Sequence, residues 1–382
     1  MKNKKRKIAV ITGKRGGFGA LMTLMSAIKK DPQMELNLIV TDMHLSSFFG
    51  NTVKEVEKEF IVSTKVNLRQ RGGSGLERSI ALGRCVSEMA STFSKTRPDI
   101  VVLLGDRGEV LSTAIAAMEL NIPIAHILGG DIAGNRDGNR IHAITKLANL
   151  HFPSNEDSYK RILKLGENPR YVFNFGATYI DLIIKRKFTS NKEVRNKYNL
   201  TQNEEYFICI QHPMTFQEDR SYKEMKMLLK VLKKYKTKTF IIYPCSDQGY
   251  EGTIKAINEF SDVPHFSIHK NIEALDFWGL MSGASLFIGN SSSGLMETPY
   301  FNLPAVNIGS RQKGRVRDVN VLDANPTQSS ILKAVKKATS SQFKKNIKNN
   351  FVFGKGDAGS RIAKILKNIK INDKLLMKKI TY

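Results

Sequence analysis

The stretch DIVVLLGDRGE, residues 99–109, holds an unbroken apolar run and then turns at once to glycine, acids and arginine. A run of this kind describes a strand buried on both faces, because a half-exposed strand alternates apolar and polar residues. A helical pattern near 108–120 follows directly, and strand–helix alternation is the mark of a parallel α/β sheet. Working outward, KIAVIT (7–12), LNLIV (36–40), IPIAHIL (122–128) and NLHFPS (149–154) read as further strands, with helices near 19–30, 76–94, 139–148 and 155–165. The pattern then restarts. YFICIQH (206–212), TFIIYP (239–244), HFSIH (265–269), SLFIGN (285–290) and PAVNIG (304–309) alternate with helices near 220–235, 251–260, 271–282 and 294–300.

Between the series lies YIDLIIKRKFTSNKEVRNKYNL (179–200), where charge rises and no strand is evident. A chain of 382 residues exceeds what one core usually serves. The expected domains are therefore 1–177 and 178–355, and a last helix near 358–370, after GKGDAG, is free to pack on either.

The net charge is +25, with Lys+Arg 60 against Asp+Glu 35, yet the excess is spread along the chain. Solvated lysines on helix faces account for most of it. With no zinc-finger spacing, RNP-type aromatic motif or basic heptad, specific nucleic-acid recognition is not expected; the charge suits steering of anionic substrates. Cys85, Cys209 and Cys245 have neither disulfide-framework nor metal-ligand spacing. They point to a reduced, cytoplasmic setting. The run IAVIT is too short for a signal-peptide core, and no stretch approaches the roughly 18–20 apolar residues of a membrane span.

Open α/β sheets bind ligands at the carboxyl ends of their strands. The first strand ends in TGKRGGFG (12–19), a glycine turn with Arg15. DIVVLLG ends in Asp106, Arg107 and Glu109, ionisable groups that form a site or merely pair and cap the next helix. GGDIAGNRDGNRIHA (129–143) carries Asp131 and Asp137 on a glycine-rich loop and His142 at the start of the next helix, where it is either a core residue or a catalyst, while His126 lies within an apolar strand and reads as a satisfied core residue. His212 stands at the mouth of YFICI, Asp247 after TFIIYP, and Arg311 and Arg315 after PAVNIG.

FIGNSSSGLMETPY (287–300) runs from a strand through Asn290, Ser291, Ser292, Ser293 and Gly294 into a helix bearing Glu297. Serines there cap a helix or, facing a crevice, hold a phosphate on the first-turn N–H groups. With a histidine and two arginines converging from the same half, the outline is a diphosphate site, and capping is the means by which the serines serve it.

The series GDRGE, GGDIAGNRD, HAITKLANLHF, QHP, YPCSD, GNSSSGLME and NIGSRQKGR, in order over nearly the whole chain, resembles the hydrolysing UDP-N-acetylglucosamine 2-epimerases of sialic-acid-type sugar biosynthesis. The resemblance implies a GT-B-like fold of two Rossmann-like domains with parallel sheets facing a central cleft, the segment 356–382 returning to the first domain, and assembly as a homodimer or homotetramer. It implies a nucleotide-sugar substrate and no metal or redox cofactor. The implied reaction is elimination of the nucleoside diphosphate to a 2-acetamidoglucal, then hydration to a free ManNAc-type sugar.

By the same resemblance Arg15, His212, Ser291, Ser292, Glu297 and Arg311 match nucleotide-diphosphate contacts, and Asp106 and Asp137 match catalytic carboxylates. Arg107, Ser293 and Gly294 join the expected binding set, and Asp131 and His212 the catalytic set. The chain departs from the family on the sugar side. It reads HILGGD where relatives read HIEGGE, placing Leu128 at an acidic position and keeping an acid at Asp131. It reads GKRGG for GTRAD or GTRAE, with Lys14 and Gly17 in place of threonine and acid, and DGNRIHA for DExxRHA, with Ile141 in place of arginine. This pattern points to altered sugar or nucleotide-sugar specificity, including 2,4-diacetamido-trideoxy or GDP-linked substrates on the legionaminic acid route, with proton transfer moved to Asp131. A GT-B glycosyltransferase and a nucleotide-sugar-binding pseudoenzyme are the competing readings, separable by acceptor-dependent transfer and by binding without turnover.

Overall fold

The computed structural model describes residues 5–70, 74–132, 136–214 and 218–381. The first sheet contains β1 (Arg6–Thr12), β2 (Met34–Thr41), β3 (Thr64–Val66), β4 (Ile100–Leu104), β5 (Ile124–Ile127) and β6 (Leu150–Phe152). The second contains β7 (Tyr206–Ile210), β8 (Lys238–Ile242), β9 (Phe266–His269), β10 (Leu286–Gly289), β11 (Ala305–Ile308) and β12 (Val321–Ala324). Every pairing is parallel. The orders are β3-β2-β1-β4-β5-β6 and β12-β11-β10-β7-β8-β9, one doubly wound topology used twice. Central strands are buried on both faces: Ile8 and Val10 enter one core cluster, and Ala9 and Ile11 another. The order of each sheet reverses between its first and fourth strands, β1 and β4 in one, β7 and β10 in the other. Those two switch points place GKRG, GDRG, QHP and NSSS at a shared cleft.

All ten expected strands are present. The two not expected, β3 and β12, are sheet edges of three and four residues, each with a single buried position, so neither needs an apolar run. The helix Gln328–Ala338 was also not expected, although Ile331, Ala334, Val335 and Ala338 form a buried stripe on it. The single helix expected near 294–300 is instead one turn, Ser293–Met296, followed by a 3-10 turn, Thr298–Phe301. Pro299 explains the break, because it has no N–H to continue the ladder.

The chain passes between the two halves twice, and the two passages touch. A Cβ on Gly176 would lie 2.6 Å from the Gly354 Cα, and Gly176 has φ +85°, so both backbones depend on the absence of a side chain. The Ala177 N–H donates to the Phe353 carbonyl at 2.7 Å in the same place. Beyond this crossing the helix Ala358–Asn368 packs on the helix Arg15–Lys30 of the first half. The Asp181 carboxylate accepts the Ala358 and Gly359 N–H groups at 3.0 and 2.7 Å, and Arg6 donates to the carbonyls of Leu366, Lys367 and Ile369. Both ends of that helix are thereby satisfied by residues distant in sequence.

Candidate active site

At the second switch point Asn290 clamps the end of β7. The His212 N–H donates to Asn290 Oδ1 at 2.6 Å, and Asn290 Nδ2 donates to the His212 carbonyl at 2.9 Å. The Cys245 N–H donates to His212 Nδ1 at 3.1 Å, which leaves the ring proton on Nε2. Burial first, then Arg311, pushes the His212 pKa well below its ordinary value. A ring held neutral in one tautomer is a fixed hydrogen-bond donor. This geometry suits His212 to donating a hydrogen bond from Nε2 into the cleft.

Arg311 donates to the Asn290 carbonyl and to Asp137 Oδ2, each at 3.3 Å, while its buried Nε–H has no partner among the described residues. Such a donor beside a cleft is suited to an anionic ligand. Ser291 and Ser292 line the same wall. Ser293 lines it too, with its hydroxyl donating to Glu297 Oε1 at 2.8 Å, whereas Gly294 serves the turn itself, its N–H donating to the Ser291 carbonyl at 3.1 Å. A Cβ on Gly294 would come within 2.9 Å of the Phe287 ring, so this glycine lets the turn pack on β10.

Glu297 also accepts from Trp278 Nε1 at 2.6 Å; burial raises its pKa against those two hydrogen bonds. Arg15 reaches from the first half to Asn271 Oδ1 at 2.8 Å and to the Ile272 carbonyl, with its guanidinium over the Phe277 ring. Together these residues form a pocket at the end of the cleft beyond the serines.

The carboxylates stand opposite. Arg315 contacts Asp131 Oδ2 through Nε at 3.2 Å and Asp106 Oδ2 through Nη2 at 3.3 Å, so one guanidinium from the second half spans two acids of the first. Asp137 faces Arg311 and Arg140 at 3.3 and 3.2 Å. Leu128 lines this side with φ +61°, an unusual backbone for a leucine. His126 is satisfied as expected: its Nε2 bonds the Gly105 carbonyl at 2.8 Å and its Nδ1 meets Thr145, and burial lowers its pKa to about 4. His142 lies inside the helix Arg136–Leu147.

Arg107 does not present a free guanidinium to a phosphate. It contacts Glu109 at 2.6 Å, Asp42 at 2.8 Å and, across the cleft, Asp247 at 3.4 Å and the Ser246 hydroxyl at 2.8 Å. Arg78 contacts Asp42 and Glu109 at 3.3 and 3.0 Å, closing a buried ring of two arginines and two acids. Burial alone would push Asp42 up, but Arg78 and Arg107 outweigh it and hold the carboxyl at about 2. Sequence reading missed Asp42 and Arg78, yet each left a signal. Asp42 directly follows β2, a strand end left out of the inventory, and Arg78 falls on the buried stripe Arg78, Ala81, Cys85, Met89, Phe93 of its helix.

Two doubly wound halves facing one cleft, with the unpartnered Arg311 Nε–H and the serine turn on one wall and arginine-held carboxylates on the other, define a nucleotide-sugar protein of GT-B-like fold. The chain belongs to the UDP-N-acetylglucosamine 2-epimerase family, whose model matches residues 26–367. It is 32% identical, over 98% of both chains, to the UDP-N,N'-diacetylbacillosamine 2-epimerase (hydrolyzing) of Legionella pneumophila. It is 34% identical, over 90% of both chains, to the GDP/UDP-N,N'-diacetylbacillosamine 2-epimerase (hydrolyzing) of Campylobacter jejuni. Its fold matches the crystal structure of UDP-GlcNAc 2-epimerase from Neisseria meningitidis bound to UDP-GlcNAc with a TM-score of 0.80 at 18% identity, over 94% of this chain and 99% of that one.

Proposed function

We propose that this protein is a hydrolysing 2-epimerase whose preferred substrate is a nucleoside-diphospho 2,4-diacetamido-2,4,6-trideoxyhexose, UDP-linked or GDP-linked. The observation that carries the reading is Arg315 holding Asp106 and Asp131 together, across the cleft from the unpartnered Arg311 Nε–H and the His212 ring. In the proposed reaction the C1–O bond to the diphosphate breaks as the C2 proton leaves, giving a 2-acetamidoglucal and the nucleoside diphosphate. Water then adds hydroxyl at C1 and a proton at C2 on the opposite face, releasing a manno-configured sugar.

Each step asks something particular of the chain. The departing diphosphate needs donors that face its developing charge, and Arg311, His212, Ser291 and Ser292 supply them. Elimination needs a group to take a proton and hydration a group to return one; Asp131 takes the first role, with Asp106 and Asp137 beside the same ring. Arg15 and Glu297 hold the nucleoside. The apolar Leu128 suits a C6 methyl, and both relatives above are named for a diacetamido sugar. We place the domain boundary near residue 178, at the Gly176 crossing, so that the first half supplies the sugar-side carboxylates and the second most of the nucleotide contacts, with Arg15 and Arg315 each reaching across the cleft. Dimers or tetramers are the expected assembly.

The test is proton NMR in deuterated water with the UDP- and GDP-linked diacetamido-trideoxy sugars and with UDP-GlcNAc. Release of a free manno sugar carrying deuterium at C2 establishes the reaction and names the substrate. Binding without release makes the protein a binder, and sugar transfer only with an acceptor present makes it a glycosyltransferase. Asp131→Asn should reduce nucleotide release by roughly 10²–10⁴-fold, the usual size of a general acid–base contribution; unchanged release removes Asp131 from the chemistry.

A further inference from the structure

We infer that the Tyr179 phenol is a substrate contact that donates a hydrogen bond to an acetamido carbonyl of the bound sugar, an inference that rests on the proposed function. Tyr179 lines the cleft and is only 6% exposed, and its hydroxyl has no hydrogen-bond partner among the described residues. A buried hydroxyl left unpaired is destabilising and uncommon, and one that borders a binding cleft is accounted for by a ligand atom.

The ring is not free to find another partner. Tyr179 sits two residues after the Ala177–Phe353 backbone bond at the crossing, at the head of the helix Ile180–Ile184, and Asp181 ties that helix to Ala358 and Gly359. The backbone on both sides of the ring is thus anchored, and the ring itself is packed into the main hydrophobic core.

The surroundings select what it meets. Burial, then Glu297, Tyr300 and Asp131, push the phenol's pKa well above its ordinary value while Arg315 opposes them, so the hydroxyl stays protonated and is a donor. Glu297 and Asp131 disfavour an anionic oxygen there, since Arg315, the nearby cation, is already engaged by Asp106 and Asp131, and the diphosphate already has Arg311, His212 and the serines on the other wall. A neutral carbonyl meets neither objection. An acetamidosugar presents such an oxygen at C2, and a diacetamido sugar presents a second at C4.

Tyr179→Phe removes one oxygen atom. Its melting temperature should equal or exceed that of the unmodified protein, because the lost hydroxyl had no protein partner. The kcat/KM for the diacetamido-trideoxy sugar nucleotide should fall roughly tenfold to thirtyfold, mainly through KM, as expected for one lost hydrogen bond in a closed site. Inhibition by the nucleoside diphosphate alone should not change. Unchanged kcat/KM would mean that the hydroxyl meets only water, and equal weakening of nucleoside diphosphate inhibition would mean that it acts on the nucleotide end; either overturns the inference. A lower melting temperature would also overturn it by revealing a protein partner. If the unmodified protein turns over no sugar nucleotide, the proposed reaction fails separately. Equilibrium titration of the same two ligands then decides, with selective weakening of the sugar nucleotide as the supporting result and equal or absent weakening as the refuting one.

Discussion

Replacing Arg107 by methionine separates a structural cation from a phosphate ligand. The guanidinium lies within 3.4 Å of Glu109, Asp42 and Asp247, and all four side chains are nearly buried, with exposures of 7%, 1%, 6% and 11% in that order. Removing one member of a buried ionic cluster costs about 3–5 kcal/mol, because the remaining charges lose their partner without regaining water. For domains of this size that corresponds to a melting temperature lower by on the order of 10 °C at neutral pH. Asp42 points the same way: Arg78 and Arg107 outweigh its burial and hold the carboxyl below its ordinary value, so these ion pairs stabilise the fold at neutral pH. A carboxyl with a depressed folded pKa gives stability that is present above its unfolded pKa and is lost as pH falls through the folded one. In Arg107→Met burial dominates instead, so the orphaned acids take up protons at higher pH than before. The deficit relative to the unmodified protein should therefore shrink as pH falls from 7 to 4. Thermal unfolding followed by near-UV circular dichroism at those two pH values measures both quantities, and titration with UDP and GDP gives the nucleotide affinity. A variant that loses less than about 1 kcal/mol, well within ordinary surface-substitution effects, yet binds nucleotide tenfold or more weakly would refute the argument and restore Arg107 as a phosphate contact.

Two further outcomes follow from the same structure. His44 and His126 are both held to about 4 by burial, and below pH 6.5 the unfolded chain takes up protons that the folded chain refuses. Stability should therefore fall between pH 6.5 and 4, by about 3 kcal/mol per histidine. Glu55, raised by burial to about 6, opposes this over part of the range. Replacing both histidines by glutamine should flatten the slope in a pH series of urea denaturations, and an unaltered slope would show that they do not cause it. Gly176→Ala brings a Cβ to 2.6 Å from Gly354 and 2.7 Å from the Phe353 carbonyl at a positive φ. A loss of about 2–4 kcal/mol is expected from strain and overpacking combined, visible as a lower denaturation midpoint; an unchanged midpoint would mean that the two passages are not in contact in solution.

The central strands were legible because burial on both faces writes itself as continuous apolar runs, and the reset after residue 200 showed that the series repeats. The edges β3 and β12 were not, since an edge strand three or four residues long needs few apolar positions. In the site, the strand ends read from the sequence come together at one cleft, while residue chemistry left their partners undecided. Asp106, Arg107 and Glu109 read alike as a cluster at the end of β4, yet Arg107 and Glu109 join the buried ring and Asp106 faces Arg315. Nothing local separates them, because the deciding partners lie far off in the chain: Asp42, Asp247 and Arg315. Gly294 was indistinguishable from a ligand-approach glycine until the Phe287 ring stood behind it. Tyr179 lay in a stretch read only as a boundary.

The double crossing at Gly176 and Gly354 sets an order of events during synthesis. The helix Arg15–Lys30 is made early, but part of its surface packs against the late helix Ala358–Asn368, through Gly359 against Thr23 and Leu24. A nascent chain that has completed the first sheet must carry that face uncovered, with the Asp181 carboxylate still lacking its two N–H partners, while the entire second sheet is translated. The first half to emerge is thus the last to be finished. A ribosome stalled before residue 358 would display a well-formed sheet with an apolar seam along one side, the kind of surface that holding chaperones recognise.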